Sequence, residues 1–91
     1  MQDNTIVIVN PNSNGGQTGK NWDSIEQILS KYLGNDLKFV FTKKTGDGTL
    51  LTRKHLEQGA THIIPIGGDG IINEVTNGFF KENINRNFLG F

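Results

Sequence analysis

The sequence predicts an α/β domain of three layers, with helices on both faces of a mainly parallel sheet. Short β-branched segments alternate along the chain with segments of helical periodicity, the order expected when helices connect parallel strands. The first segment, Thr5–Val9, is a continuous run of β-branched residues, as expected of a strand buried on both faces. The 91 residues suffice for one small domain.

The composition narrows the function classes. Nine basic and nine acidic residues give a net charge of zero, so we expect neither a nucleic-acid-binding surface nor a polybasic membrane patch. The absence of cysteine excludes disulfides and is compatible with a reducing cytoplasm. No apolar run reaches the ~18 residues of a transmembrane segment, and no signal-peptide pattern is present. We therefore expect a cytoplasmic domain without nucleic-acid partners.

A polar loop and a helix follow the first strand. Pro11 ends the strand, and Asn12–Gly19 is predicted to be a loop. Gly34 closes the next helix as a C-terminal cap, and the apolar residues at helical spacing are Trp22, Ile25, Ile28, Leu29, Tyr32 and Leu33. Lys20 falls in the predicted first turn, where its charge opposes the helix dipole; it is either solvated or compensated by a bound phosphate.

Further strands are predicted at Leu37–Phe41, at His62–Ile66 and, as an opening only, at Asn87–Phe91. Leu50–Gln58 indicates a helix with a thin apolar face, and a last helix is predicted from the spacing of Ile72, Val75 and Phe79. Pro65 cannot donate a ladder hydrogen bond, so the third strand requires a bulge or an unpaired neighbour there. An incomplete fourth strand would leave a sheet edge open, which favours self-association.

Three features are expected to be structural. Gly46-Asp47-Gly48 has the composition of an ordinary loop. His55 and His62 lie at a helix end and a strand start without a third ligand, which argues against a metal site. Trp22 and Phe79 are predicted to be core residues and not base-stacking ones.

The main candidate site is Gly67-Gly68-Asp69-Gly70, between the third strand and the last helix. Glycine permits positive φ and lets backbone N–H groups approach a ligand, while the helix N-terminus favours an anion such as phosphate. A carboxylate ~4 Å from a phosphate charge is repelled by about 4 kcal/mol at an effective dielectric near 20. The position of Asp69 therefore favours a magnesium nucleotide, or a ribose hydroxyl, over bare phosphate. A plain strand-to-helix turn would need fewer glycines.

Other polar residues follow the ends of the first two strands. Because ligands bind beyond the carboxyl ends of parallel strands, we expect Asn10–Gly16, Thr42 and Gly67–Asn73 to meet at one edge. The first loop offers amides, a hydroxyl and glycine N–H groups to phosphate oxygens. It is not a Walker loop, because Gly15–Lys20 is one residue short and Asn21 follows.

Gly67-Gly68-Asp69-Gly70, followed by Asn73-Glu74-Val75 and Asn77-Gly78, resembles the nucleotide-binding signature of diacylglycerol-kinase-like lipid kinases. The family shares its glycine-aspartate core with NAD kinases and phosphofructokinases. It also opens with Asn-Pro and a small-residue loop, matching Asn10–Asn14, and has a threonine after strand two, matching Thr42. Asn14 stands where the family has glycine, and Ile71 where it has threonine. Asparagine tolerates φ > 0, whereas Ile71 removes a hydroxyl and leaves Gly70 or Asp69 to cap the helix.

The resemblance implies a Rossmann-like fold of the NAD kinase and diacylglycerol kinase kind, with ATP and Mg²⁺ as ligands. The nucleotide-binding residues it implies are Asn10, Pro11, Asn12, Ser13, Asn14, Thr42, Gly68, Asp69, Gly70, Ile71, Ile72, Asn73 and Glu74. No catalytic residue or protein metal ligand is assigned. The implied reaction transfers the γ-phosphoryl group of ATP to a diacylglycerol-like or sphingoid lipid hydroxyl.

The resemblance also implies a longer protein that acts peripherally at a membrane surface. In the family a β-rich second domain supplies the general base, and nothing in residues 1–91 corresponds to it. We therefore expect residues 1–91 to be a truncated nucleotide-binding domain, inactive on lipid alone. Two alternatives stay open: a kinase of a soluble substrate such as NAD or a sugar phosphate, and a non-enzymatic nucleotide-binding or interaction domain.

Overall fold

The structure is a computed structural model that describes residues 4–34 and 36–80. Its strands are β1 (Thr5–Val9), β2 (Lys38–Phe41) and β3 (His62–Ile66). Its α-helices are a single turn, α1 (Gln17–Lys20), and three longer elements, α2 (Trp22–Leu33), α3 (Asp47–Glu57) and α4 (Asp69–Phe79). The predicted fourth strand at Asn87–Phe91 lies outside the described residues. None of the described helices is long and apolar enough to cross a bilayer.

The three strands form a parallel sheet in the order β2-β1-β3, which confirms the predicted α/β class. The central position of β1 explains its run of β-branched residues: Val7, Ile8 and Val9 are completely buried. Val9 is paired with Phe41 on one side and with Ile66 on the other. The carboxyl ends of the strands therefore lie side by side, at the edge where α/β sheets bind ligands.

Helices cover both faces of the sheet, as a three-layer fold requires. On one face, Ile6 and Ile8 pack in a buried cluster with Ile71 and Val75 of α4. On the other face, Trp22 of α2 packs edge-to-face against two aromatic rings of β2, with centroid distances of 5.3 Å to Phe39 and 5.2 Å to Phe41. Trp22 is thus a packing residue, as predicted.

The segment predicted to be a loop at Asn12–Gly19 contains more regular structure than expected. A 3-10 turn spans Asn14–Gly16 and α1 follows it directly, with Gly15 and Gly16 at φ values of 65° and 90°. Lys20 ends α1 instead of opening α2, whose first turn contains Asp23. The unfavourable helix position predicted for Lys20 is therefore wrong, because a separate helical turn intervenes.

Helix α3 begins three residues before the predicted start. The backbone N–H groups of Lys43 and Lys44 donate to Asp47 Oδ2, at 2.8 and 3.1 Å, and Gly46 adopts φ 95° immediately before the helix. Asp47 and Gly48 are consequently helical, so the prediction of a loop at Gly46-Asp47-Gly48 is wrong. A local side-chain turn orders the chain here and the helix continues from it.

The buried face of α4 differs from the prediction. Ile71 is 2% exposed and Val75 is buried, whereas Ile72 is 49% exposed. A Cβ on Gly48 would stand only 2.7 Å from Ile71 Cδ1, and one on Gly78 only 2.5 Å from Thr52 Cβ. The close contact of α3 with α4 at these glycines sets the rotation of α4 and turns Ile72 outward.

Pro65 is accommodated without a bulge, because its pairing with Ile8 is in continuous register. Asn10 N–H donates to Ile66 O at 2.9 Å, so the polar backbone groups of Ile66 face β1. Since these groups alternate in direction along a strand, the nitrogen of Pro65 faces the opposite side. No described strand is paired there, which is the unpaired-neighbour alternative predicted from the sequence.

Candidate functional site

A cavity of about 470 Å³ opens at the carboxyl edge of the sheet. Two backbone hydrogen bonds hold the segments that leave the strands together there: Thr42 N–H donates to Val9 O at 2.8 Å, and Asn10 N–H donates to Ile66 O. The cavity is lined by Asn10, Asn12, Thr42, Lys43, Lys44, Thr45, Gly70, Ile71 and Glu74. Segments distant in the sequence thus meet at one edge, as the pattern of strands and loops predicts.

The loop after β1 contributes two asparagines to the cavity and uses its other residues structurally. Asn10 Oδ1 accepts the N–H of Asn12 at 3.0 Å, which fixes both residues at the cavity wall. The hydroxyl of Ser13 hydrogen-bonds that of Thr18, and Pro11 O accepts the N–H of Gly19 at 2.9 Å. Asn14 adopts φ 55°, so the expectation that asparagine tolerates this conformation is confirmed. Pro11, Ser13 and Asn14 do not line the cavity.

In the glycine motif before α4, the residue with the positive φ and the residue that caps the helix differ from the prediction. Gly67 has the positive φ, 150°, and a Cβ there would stand 2.9 Å from Ile71 Cγ2. Gly68 has an ordinary extended conformation, φ −96°, with open space around it, and it is the N-cap of α4. No side chain caps the helix, so the expected capping by Asp69 or Gly70 is wrong. The first-turn N–H groups of α4 consequently lack side-chain partners, and such groups suit an anion.

The two acidic residues of the motif have different environments. Glu74 lines the cavity, and its Oε2 and Oε1 accept the N–H groups of Gly46 and Gly48, each at 2.9 Å. Asp69 is exposed in the first turn of α4, and no hydrogen bond or ion pair to another described residue engages its carboxylate. Glu74 therefore holds two elements together, whereas Asp69 is available to a ligand.

Four of the predicted site residues after β3 lie outside the cavity wall: Gly68, Asp69, Ile72 and Asn73, all of them exposed. Ile71 lines the cavity but belongs to the buried core. It provides an apolar floor where a threonine would provide a hydroxyl.

Sequence reasoning missed Lys43, Lys44 and Thr45, which line the cavity beside the buried Thr42. A signal was available in the sequence, because two consecutive lysines follow the carboxyl end of a predicted strand.

The backbone N–H of Lys43, the backbone N–H of Lys44 and the two ammonium charges hold the pKa of the Asp47 carboxyl below its usual value, against a smaller opposing effect of desolvation. The cavity therefore combines neutral amide and hydroxyl groups with two cations, a combination suited to a phosphate-containing ligand.

The family model of the diacylglycerol kinase catalytic domain matches residues 4–89 of this chain. Sphingoid long-chain bases kinase 1 of Arabidopsis thaliana is 36% identical over 79 residues, which cover 86% of this chain and 10% of that protein. A diacylglycerol kinase of Staphylococcus saprophyticus is also 36% identical, over 99% of this chain and 29% of its own length.

Solved structures agree with the sequence relatives. A crystal structure of a Bacillus anthracis protein assigned as a diacylglycerol kinase matches 90% of this chain with a TM-score of 0.74 and 32% identity. The match covers 28% of that protein. The chain thus spans less than a third of the length of each of these three proteins.

Proposed function

The chain belongs to the diacylglycerol kinase catalytic domain family, and we propose that it forms the ATP-binding part of a lipid kinase. The reaction would transfer the γ-phosphoryl group of ATP to a hydroxyl of a diacylglycerol-like or sphingoid lipid. Relatives named diacylglycerol kinase, sphingoid long-chain bases kinase and ceramide kinase support a lipid as the acceptor. The observation that carries the proposal is a cavity that the segments after β1, β2 and β3 line together.

Phosphoryl transfer asks the protein mainly to position phosphates and neutralise charge. In this proposal the wall formed by Asn10, Asn12 and Thr42 donates hydrogen bonds, and the open N-terminal turn of α4 faces the phosphates with unpaired N–H groups. The exposure of Gly68 leaves its backbone free for close approach.

Mg²⁺ is the cofactor this site suits best. Hard oxygen ligands are its preferred partners, and it is commonly held by one or two carboxylates together with substrate phosphates. The unengaged carboxylate of Asp69, one residue from the cavity-lining Gly70, fits that requirement. The metal would neutralise charge between Asp69 and the nucleotide.

The lipid site and the general base are assigned to residues outside this chain. In this proposal Asp69 meets the magnesium nucleotide, and the oxygens of Glu74 accept backbone N–H groups. Neither carboxylate is therefore suited to deprotonate a lipid hydroxyl. Action on such a lipid would take place at a membrane surface. Sedimentation of the purified protein would test self-association through an open sheet edge.

The test is phosphoryl transfer from radiolabelled ATP to mixed micelles containing diacylglycerol, sphingosine or ceramide, with NAD as a soluble acceptor in a parallel reaction. The protein expressed from its full reading frame should label at least one lipid and leave NAD unlabelled. Residues 1–91 alone should bind ATP and label nothing. Labelling of NAD without any lipid would contradict the proposal, and so would equal lipid turnover by residues 1–91.

A further inference from the structure

The charge on the cavity wall is concentrated in one loop. Among the residues that line the cavity, the charged ones are Lys43, Lys44 and Glu74. The carboxylate of Glu74 keeps its charge, but both of its oxygens already accept backbone N–H groups. The two adjacent lysines outweigh this one carboxylate, so the lining side chains carry a net charge of +1.

The loop that carries these lysines is anchored at both ends. At its start, the N–H of Thr42 donates to Val9 O at 2.8 Å; at its end, the N–H of Gly46 donates to Glu74 Oε2. In between, Asp47 Oδ2 accepts the N–H groups of both lysines. The backbone is thus fixed before any ligand arrives, which reduces the entropy cost of binding.

The lysines share the cavity with a second anion-favouring feature. Gly70 and Ile71, in the first turn of α4, line the same cavity. The N–H groups of that turn have no intrahelical acceptor and carry the positive end of the helix dipole. An anion in the cavity would therefore be within one lined space with both the α4 backbone donors and the two lysines.

We propose that Lys43 and Lys44 bind the phosphate chain of the nucleotide, and that Glu74 is a positioning residue that holds their loop in place. The inference rests on the proposed function, because it takes the cavity to be the nucleotide site. It assigns the cationic contacts to the loop after β2, whereas the glycine-rich segments supply neutral donors. Glu74 acts through Gly46 and Gly48 and makes no contact with the nucleotide.

Calorimetric titration of the purified protein with ATP in the presence of Mg²⁺ tests the lysines. Each of Lys43→Gln and Lys44→Gln should raise the Kd for ATP about tenfold, as expected for the loss of one charge-assisted contact. The loss of affinity should be smaller for AMP, which has fewer phosphates. The charge-conserving variants Lys43→Arg and Lys44→Arg should retain most of the affinity for ATP. Lys31→Gln, an exposed lysine on α2 outside the cavity, is the matched control.

The positioning role of Glu74 needs a separate readout. Glu74→Gln should weaken ATP binding and shift the amide resonances of Gly46 and Gly48 before ATP is added. In that background Lys43→Gln should cost less affinity than in the unsubstituted protein, because the loop is already displaced. Full additivity of the two substitutions would overturn the positioning role.

Two negative results have different meanings. An unsubstituted protein that binds no ATP would overturn the proposed function together with this inference. ATP binding that the double variant Lys43→Gln/Lys44→Gln retains within about twofold of Lys31→Gln would overturn the lysine contacts alone. Thermal unfolding of each variant establishes that it is folded under the titration conditions.

Discussion

Glu74 Oε1 on α4 accepts the backbone N–H of Gly48 on α3 at 2.9 Å, in a place where Gly48 has no room for a side chain. A Cβ on Gly48 would stand 2.8 Å from Glu74 Oε1 and 2.9 Å from Glu74 Cβ. The second oxygen of the same carboxylate accepts the N–H of Gly46. One side chain therefore connects the nucleotide-motif helix to the loop after β2.

Gly48→Ala should destabilise the fold. The added methyl group overpacks the contact between α3 and α4, at a cost of about 1–3 kcal/mol, which exceeds the helix-propensity gain of about 1 kcal/mol. Urea unfolding followed by circular dichroism measures the difference. Gly70→Ala is the control, since no atom lies within 4 Å of its added Cβ; it should leave the free energy of unfolding unchanged or raise it slightly. Equal free energies of unfolding for the two variants would contradict the close contact of α3 with α4 at Gly48.

The two consecutive glycines before α4 should respond differently to alanine. Gly67→Ala forces a side chain into φ 150° and against Ile71, and should cost about 1–3 kcal/mol of stability. Gly68→Ala has neither problem and should change stability by less than about 0.5 kcal/mol.

A larger side chain at position 68 should lower nucleotide affinity without unfolding the protein. Gly68→Val is expected to fold and still to lose ATP affinity, because its branched side chain obstructs approach to the backbone. Its ordinary φ removes conformational strain as an explanation. Thermal melting and ATP titration measure the two effects independently, and a folded Gly68→Val protein with normal affinity would show that the segment is only a turn.

Asp69→Asn should keep the fold and weaken binding of the magnesium nucleotide about tenfold. The carboxylate has no partner among the described residues, so its charge is not needed for packing. Isothermal titration with ATP and Mg²⁺ gives the affinity. Asp23→Asn, in the exposed first turn of α2, is the control and should bind normally. Unchanged affinity of a folded Asp69→Asn protein would remove Asp69 from the site.

Stability should fall when the pH drops from about 7.5 to about 5.5, because the unfolded chain then binds a proton that the folded chain resists. The buried His55 ring is the group responsible: desolvation, and then the charges of Lys38 and Lys54, lower its pKa below the usual 6.5. A lowered folded-state pKa makes stability rise with pH through this window. Asp47, whose pKa is also lowered, loses its contribution only at more acidic pH.

Thermal unfolding across this pH range checks the assignment to His55. His55→Gln should flatten the slope of the melting temperature against pH. His62→Gln, at the exposed histidine of β3, is the matched control variant. A slope that persists in His55→Gln would place the titrating group elsewhere.

Local patterns were enough to predict most of the fold. The bounds of β1 and β3 agree with the prediction, because a β-branched run between turn residues contains its own limits. The end of α2 at Leu33, followed by Gly34 at φ 94°, is equally local. The edge at which the site lies follows from the order of strands and helices.

Features that depend on distant residues could not be predicted in the same way. Glu74 reaches Gly46 and Gly48 across 28 and 26 positions, so the local motif Asn73-Glu74-Val75 gives no sign of these contacts. Helix α4 buries Ile71, where the sequence predicted Ile72. This rotation of the helix depends on Gly48, a glycine of another helix. Lys43 and Lys44 join the site only because the short turn closed by Asp47 places them at the cavity.

The most direct test of the account is an ATP titration of the ¹⁵N-labelled protein with Mg²⁺, followed through its backbone amide resonances. The shifted amides should cluster at the carboxyl edge of the sheet, at Asn10 and Asn12 and in Thr42–Thr45 and Gly68–Ile71. Amides on the exposed face of α2, such as that of Ile28, should stay unchanged. Shifts confined to α2, or no shifts at saturating ATP, would contradict the assignment of this edge as a nucleotide site.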